Sequence, residues 1–174
     1  MTNETIQNLL TRRSVRSYLK KAVSEADLDT ILNCGIHAPC STGAQATLLV
    51  AVTDGEVLAK LSRMNAAVLG KEDDPFYGAP AAVVVFADRT RKPFAEDGAL
   101  VMGNLMNAAH ALGLASCWIH RAREVFDSPE GRAMAKAWGV PEDYAGIGHC
   151  ILGYGAGEDP QPKPRKENFV LHVR

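Results

Sequence analysis

A long uncharged stretch of the chain covers residues 98–120. It contains no Asp, Glu, Lys or Arg, although these residues make up 22% of the sequence. Up to Gly113 its apolar residues cover most of a helix, and residues 114–119 are typical of a short buried strand. A helix that is apolar nearly all round needs partners on more than one side. We predict a central helix packed either inside a monomer or between the chain's own sheet and a second copy.

Hydrophobic periodicity elsewhere predicts alternating helices and strands. Helices are expected at residues 4–10, 25–37 with Ser24 as its cap, 56–69 and 123–138, and strands at 47–52, 81–87 and 145–152. The run 81–87 is uninterruptedly apolar, as in a strand buried on both faces. Glycines and prolines after residue 152 favour an extended arm that ends in a strand-like run, 169–173. The alternation predicts one α/β or α+β domain over residues 1–174.

Composition and charge exclude several classes of protein. A net charge of -1 gives no general attraction for nucleic acid or an anionic membrane. The N-terminus lacks a basic head followed by an apolar run, and polar residues make the central stretch a poor membrane span. Four cysteines without a CxxC pair and five scattered histidines give no metal-ligand spacing. We expect a reduced, cytoplasmic protein without a metal, nucleic-acid or membrane partner.

Candidate binding chemistry lies in three places. Segment 12–16 holds three arginines and a serine, and guanidinium groups suit phosphate and planar acceptor edges, although a solvated basic turn gives the same pattern. Lys163 and Arg165 offer a second positive arm. The loop 39–45 is small and polar, which suits either a plain connection or the edge of a ligand site.

Other candidates carry less chemistry. The three glycines of segment 153–157 lack the spacing and the following helix of a dinucleotide-binding loop. Cys40 and Cys117 have no adjacent base in the sequence, so structural thiols are favoured over nucleophiles. Of the histidines, His120 at the end of the central strand is the one candidate for a role in a site.

In this order the motifs resemble the FMN-dependent nitroreductase family. The similar segments are RRSVR at 12–16 (family RRSxR), PCSTGAQ at 39–45 (PSSxNxQ), FYGAP at 76–80, GLASCWI at 113–119 (GLGSCWIG), and LGY at 152–154 with KPR at 163–165. The resemblance covers nearly the whole chain. It implies an α+β, three-layer fold with a mixed central sheet flanked by helices, in a homodimer whose active sites are shared between the subunits.

The resemblance also implies cofactor contacts for individual residues. Arg12, Lys163 and Arg165 would hold the FMN phosphate. Arg13 and Ser14 would reach the ribityl chain and the pyrimidine edge, and Arg16 would stabilise negative charge near N1 of the reduced flavin. In the strand that carries Cys117, backbone N–H groups around Trp118 to His120 would face N5 and O4. Ser41, Gly43 and Gln45 would come from the other subunit.

Two departures from the family pattern bear on function. Gly43 stands where the family usually has Asn, and His120 replaces a Gly, where it narrows the space over N5 or donates a proton to substrate. The resemblance implies an oxidoreductase that takes hydride from NADH or NADPH by a ping-pong mechanism and reduces a nitroaromatic, a quinone or a similar small electrophile. The alternatives are a non-catalytic FMN-binding carrier or sensor, and a different reaction on the same fold.

Overall fold

The structure is a computed structural model that describes residues 3–158 and 160–174. Its elements are α1 (Glu4–Thr11), α2 (Glu25–Ile36), β1 (Thr47–Val52), α3 (Gly55–Leu69), β2 (Ala81–Asp88), α4 (Phe94–Ala111), β3 (Ala115–Ile119), α5 (Ala122–Asp127), α6 (Pro129–Ala137) and β4 (Tyr144–Gly153). The predicted strands β1, β2, β3 and β4 are confirmed to within one residue. The predicted cap of α2 is also confirmed, because the Ser24 side chain accepts a hydrogen bond from the Asp27 N–H.

The four strands form one sheet in the order β1-β2-β4-β3, with every neighbouring pair antiparallel. A parallel bridge joins Ser14 to Ser116 at the outer edge of β3, so the expected mixed sheet is mixed only there. The central position of β2 explains its composition, because residues 81–87 are buried on both faces of the sheet.

Helices cover both faces of the sheet, which confirms the three-layer α+β fold. On one side α2 and α4 pack over the sheet in a core that includes Ile31, Val83 and Leu105. On the other side α3 and α5 enclose a core that includes Leu61 and Phe86. No helix within residues 3–158 and 160–174 is long and apolar enough to cross a membrane.

His149 is a fully buried polar side chain in the second core. It lies in β4 beside the aromatic rings of Phe76 and Phe126, at ring-centroid distances of 5.2 and 6.0 Å. Burial lowers the pKa of this imidazole to about 4. The ring is therefore neutral at physiological pH.

Two sequence predictions are wrong. The single helix expected at 123–138 is broken into α5 and α6 at Ser128, because the proline at position 129 disfavours helical backbone in the residue before it. The strand expected at 169–173 is absent from the described chain, and Phe169 and Val173 are 73% and 99% exposed. A strand needs a neighbour for its backbone hydrogen bonds, and the chain itself provides none there.

Candidate functional site

The outer edge of β3 is a meeting point of three separate segments. The Val15 N–H donates to the Ser116 carbonyl at 3.0 Å, next to the bridge between Ser14 and Ser116. The Ala156 N–H donates to the Ser17 carbonyl at 2.9 Å. The arginine segment is thus fixed between the start of β3 and the start of the C-terminal arm, and the structure brings together parts that lie about 100 to 140 residues apart in the chain.

A cavity of about 560 Å³ opens where these segments meet. It is lined by Arg13, Val15, His110, residues 113–116, Gly155, Gly157, Glu158 and Gln161. Ser116 is 1% exposed, and its hydroxyl has no hydrogen-bond partner in the part of the chain that the structure describes. The same holds for Nη1 of Arg12, the neighbour of Arg13. Buried polar groups are normally paired, so these two are suited to a ligand with acceptor atoms.

The three arginines of the segment have different surroundings. Nη1 of Arg13 donates to the carbonyls of Leu10 and Arg12, at 2.9 and 2.8 Å, and so closes the end of α1. Arg16 is exposed. Arg12 is half-buried, and its Nη1 has no hydrogen-bond partner among the described residues, so it is the member of the segment best suited to bind an anion.

Side chains along β3 alternate between the two faces of the sheet. Cys117 is 2% exposed and belongs to the core under α3 and α5. Burial raises the pKa of its thiol, although the nearby Arg16 charge acts in the opposite direction. The thiol is therefore neutral and structural, and Cys117 can reach a ligand only through its backbone. In the register of β3 and β4, Cys150 lies opposite Trp118, and its side chain belongs to the core under α2 and α4. The thiols of Cys117 and Cys150 are thus on opposite faces of the sheet and cannot form a disulfide.

The carboxyl end of β3 is fixed differently from its start. The Trp118 ring lies so close to Gly148 that a Cβ at residue 148 would clash with its Nε1. The exposed His120 lines a second cavity, of about 270 Å³, together with Trp118 and Arg121. The His120 carbonyl accepts a hydrogen bond from Nδ2 of Asn65 at 2.7 Å. The strand end is thus held from the α3 side, whereas the His120 side chain faces solvent.

The loop around residue 43 is attached to the beginning of α4. The Ser41 N–H donates to Oδ1 of Asp97 at 2.8 Å, and Asp97 is 4% exposed. Gly43 and Gln45 have positive φ values of 64° and 51°. Asn and Gly are the residues that most readily adopt this left-handed conformation. Gly43 therefore suits the left-handed backbone that the loop adopts here.

The loop and the arginine segment lie at opposite ends of α4. Asp97 holds the loop at one end, whereas Oγ1 of Thr11 lies 2.8 Å from Nε2 of His110 at the other. At 1.5 Å per residue, the α4 residues 97 and 110 are about 20 Å apart along the helix. A single chain therefore does not bring Ser41, Gly43 and Gln45 to the arginine segment.

The C-terminal arm reaches the site only at its beginning. Gln161 lines the larger cavity, whereas Lys163 and Arg165 are exposed and make no hydrogen bond or ion pair with any described residue. Their contact with a phosphate stays a prediction. Among residues 3–158 and 160–174, no group of three or more His, Cys, Asp or Glu side chains is arranged to hold a metal ion.

Two residues of the site region were missed by sequence reasoning. Asn65 is fully buried in α3, and Asp97 is buried in the first turn of α4. A polar residue at a core-facing helix position was the available signal for Asn65. Its partner, His120, lies far along the chain, so no local pattern indicates the contact.

Comparisons with known proteins give a consistent result. A family model described as the nitroreductase family matches residues 9–75 and 66–154. A nitroreductase with bound FMN from Bacteroides fragilis NCTC 9343 superposes with a TM-score of 0.92 at 31% identity, over 99% of this chain and 100% of that chain. One from Desulfitobacterium hafniense DCB-2, also with bound FMN, gives 0.90 at 26% identity, with 100% of both chains covered. A curated protein of Archaeoglobus fulgidus, provisionally named NADH dehydrogenase/NAD(P)H nitroreductase, is 30% identical over 98% of this chain and 92% of its own length.

Proposed function

Because this chain belongs to the nitroreductase family, we propose that it is an FMN-dependent oxidoreductase that uses NADH or NADPH to reduce a nitroaromatic, a quinone or a similar small electrophile. The observation that carries this proposal is a pair of buried donors without a partner among the described residues. One is Ser116 Oγ, in the lining of the cavity at the start of β3, and the other is Nη1 of Arg12, the neighbour of the lining residue Arg13. These donors suit the phosphate and polyol of FMN.

The chain's own contribution is to bind and orient the cofactor. When bound, FMN supplies the hydride and electron transfer, and the protein supplies position and charge. Arg12 would hold the phosphate, together with Lys163 and Arg165 of the C-terminal arm. Arg13 and Ser14 would reach the ribityl chain and the pyrimidine edge, whereas Arg16 would lie near N1, where a positive charge stabilises the reduced ring.

The other end of β3 receives the reactive edge of the ring. The backbone N–H groups of His120 and Arg121 have no backbone acceptor among the described residues, so they are free to donate to N5 and O4. Trp118 and His120 bound the second cavity on this side. The acceptor substrate would enter past the exposed His120 side chain, and Cys117 only shapes the floor through its backbone.

The complete site is shared between two copies in a homodimer. The loop with Ser41, Gly43 and Gln45 is about 20 Å from the arginine segment in its own chain. If two α4 helices pack antiparallel about a two-fold axis, the beginning of each lies against the end of the other. Leu100 and Leu112, at the two ends of α4, are 46% and 40% exposed and give such packing an apolar surface. The loop of one subunit then completes the site of its partner.

A spectrum of the purified protein tests the proposed function. We expect flavin absorption bands that bleach when NADH or NADPH is added without oxygen, and that return on addition of a quinone or a nitroaromatic. Flavin that neither nicotinamide bleaches would instead indicate a carrier or sensor. A colourless protein that also fails to bind added FMN would overturn the assignment of the cofactor.

A pair of substitutions at Gly43 tests the role of the loop. We expect Gly43→Val to weaken FMN binding about tenfold, because a β-branched residue strongly disfavours the left-handed backbone, at a cost of about 1–2 kcal/mol. Within the described chain a Cβ at this position meets nothing within 4 Å, so a clash inside the subunit does not contribute to the effect.

The matched control is Gly43→Asn, which tolerates the same φ and is expected to keep FMN affinity within about twofold. The measurement is the dissociation constant of each variant for FMN, obtained from the quenching of FMN fluorescence. Equal affinities for the Val and Asn variants would show that the loop conformation has no part in the site.

A further inference from the structure

Asn65 is a buried side chain whose hydrogen bonds reach the carboxyl end of β3. It is 0% exposed and lies on α3 between the core residues Leu61 and Ala66. Its Nδ2 donates to the His120 carbonyl at 2.7 Å, and its Oδ1 accepts from Nε and Nη2 of Arg121, at 3.1 and 2.9 Å. Because donor and acceptor are both used, the carboxamide has one orientation and fixes two consecutive residues.

Arg121 has an unusual backbone for a residue other than glycine. Its φ is +74° and its ψ is 13°, in the left-handed region, immediately before α5. Such a conformation persists only where the surroundings impose it, and it occurs preferentially at functional sites. Here the Arg121 guanidinium donates to Oδ1 of Asn65, and the His120 carbonyl accepts from its Nδ2. Asn65 therefore holds both the carbonyl of the 120–121 peptide and the side chain that follows it.

The direction of that peptide follows from its planarity. The described chain contains no cis peptide bond, and in a trans peptide the carbonyl and the N–H point in opposite directions. Because the His120 carbonyl points toward Asn65 on α3, the Arg121 N–H points away from α3. This N–H has no backbone acceptor among residues 3–158 and 160–174.

We propose that Asn65 is a positioning residue for the flavin reaction, which aims the Arg121 N–H at the N5 and O4 edge of bound FMN. The inference rests on the proposed function. A donor at this edge withdraws electron density from the oxidised ring and so favours its reduction. Asn65 itself touches neither cofactor nor substrate, because α3 holds it on the far side of the peptide.

Three substitutions of Asn65 separate the loss of the hydrogen-bond donor from other effects. Asn65→Leu removes all three hydrogen bonds without adding charge. If the Leu variant does not fold, Asn65→Ser, whose side chain is too short to reach the carbonyl, takes its place. Asn65→Asp keeps the volume and pairs with Arg121 but can no longer donate to the His120 carbonyl. For each variant we expect reduced FMN to lose about tenfold in affinity relative to oxidised FMN, a midpoint potential about 30 mV lower for a two-electron couple.

The control is Ser128→Ala, which removes the cap at the junction of α5 and α6 but leaves the 120–121 peptide in place. We expect it to lower the melting temperature and to leave the midpoint potential unchanged. An unchanged potential in the neutral Asn65 variant overturns the proposal, and a change confined to Asn65→Asp overturns it too, because it would report only a new charge. A fall in the Ser128→Ala variant as well would assign the effect to general loosening and equally overturn it.

The readout separates this inference from the proposed function. The midpoint potential is measured by dye equilibration on the FMN-loaded protein and needs neither NAD(P)H nor an acceptor substrate. If the wild-type chain binds no FMN, or if neither nicotinamide reduces it, the proposed function has failed. If the wild-type chain behaves as expected and the neutral variant keeps its potential, only the role of Asn65 has failed.

Discussion

Replacing Arg12 by alanine is expected to weaken FMN binding about a hundredfold, equivalent to about 3 kcal/mol, so that the protein purifies without colour. The guanidinium has a buried nitrogen that no described residue satisfies, which suits a phosphate dianion. A charge-assisted contact of this kind is lost as a whole when one partner is removed. Isothermal titration with FMN and the visible absorbance of the purified variant measure the effect.

The control for Arg12→Ala is Arg132→Ala. This arginine lies on α6, away from β3, and its loss changes the net charge by the same amount. We expect the control to bind FMN as the wild type does. Equal losses in the two variants would mean that general electrostatic attraction, and not a phosphate contact, accounts for the affinity.

The second large effect is expected in a dimer of two chains that each carry one substitution in a different half of the shared site. A heterodimer of an Arg12→Ala chain and a Gly43→Val chain, isolated with two affinity tags, should bind about half the FMN of the wild-type dimer. One of its shared sites carries both changes, whereas the other combines an intact arginine segment with an intact loop. Flavin content at an FMN concentration that leaves both parent dimers largely empty is the measurement.

The reciprocal heterodimer gives the opposite expectation. If one chain carries both substitutions and the other carries none, each shared site has one damaged half, and binding should be as weak as in the parents. A site contained within one chain predicts the reverse for both combinations. Flavin recovered in the reciprocal heterodimer but not in the first would therefore contradict a site at the subunit interface.

Local patterns predicted the fold well because most helices and strands carry a recognisable signal within a few consecutive residues. The apolar run of β2 and the Ser24 cap of α2 are examples. The break at Ser128 carried a local signal as well, a capping residue followed by proline, but helical periodicity on both sides concealed it. The expected strand at 169–173 failed for a different reason, since pairing depends on a neighbour that a sequence does not specify.

The candidate site was only partly predictable. The arginine segment could be found because its chemistry is concentrated in five consecutive residues. The contacts that orient the site join distant parts of the chain: Asn65 with His120, and Ser41 with Asp97. No periodicity encodes such pairs. The resemblance to a family supplied roles for individual residues, and these remain predictions until the variants above are measured.

The buried imidazole of His149 sets an acid limit for the fold. Its folded pKa of about 4 lies below the unfolded value of 6.5, so the unfolded chain binds the proton more readily. The stabilisation from keeping this ring neutral is complete above pH 6.5 and is lost as the pH falls toward 4. At 1.36 kcal/mol per pH unit the loss amounts to about 3 kcal/mol, a large part of the stability of a typical domain. Mildly acidic compartments and buffers would therefore lower the free energy of unfolding of this protein even where the net charge of its surface stays near zero.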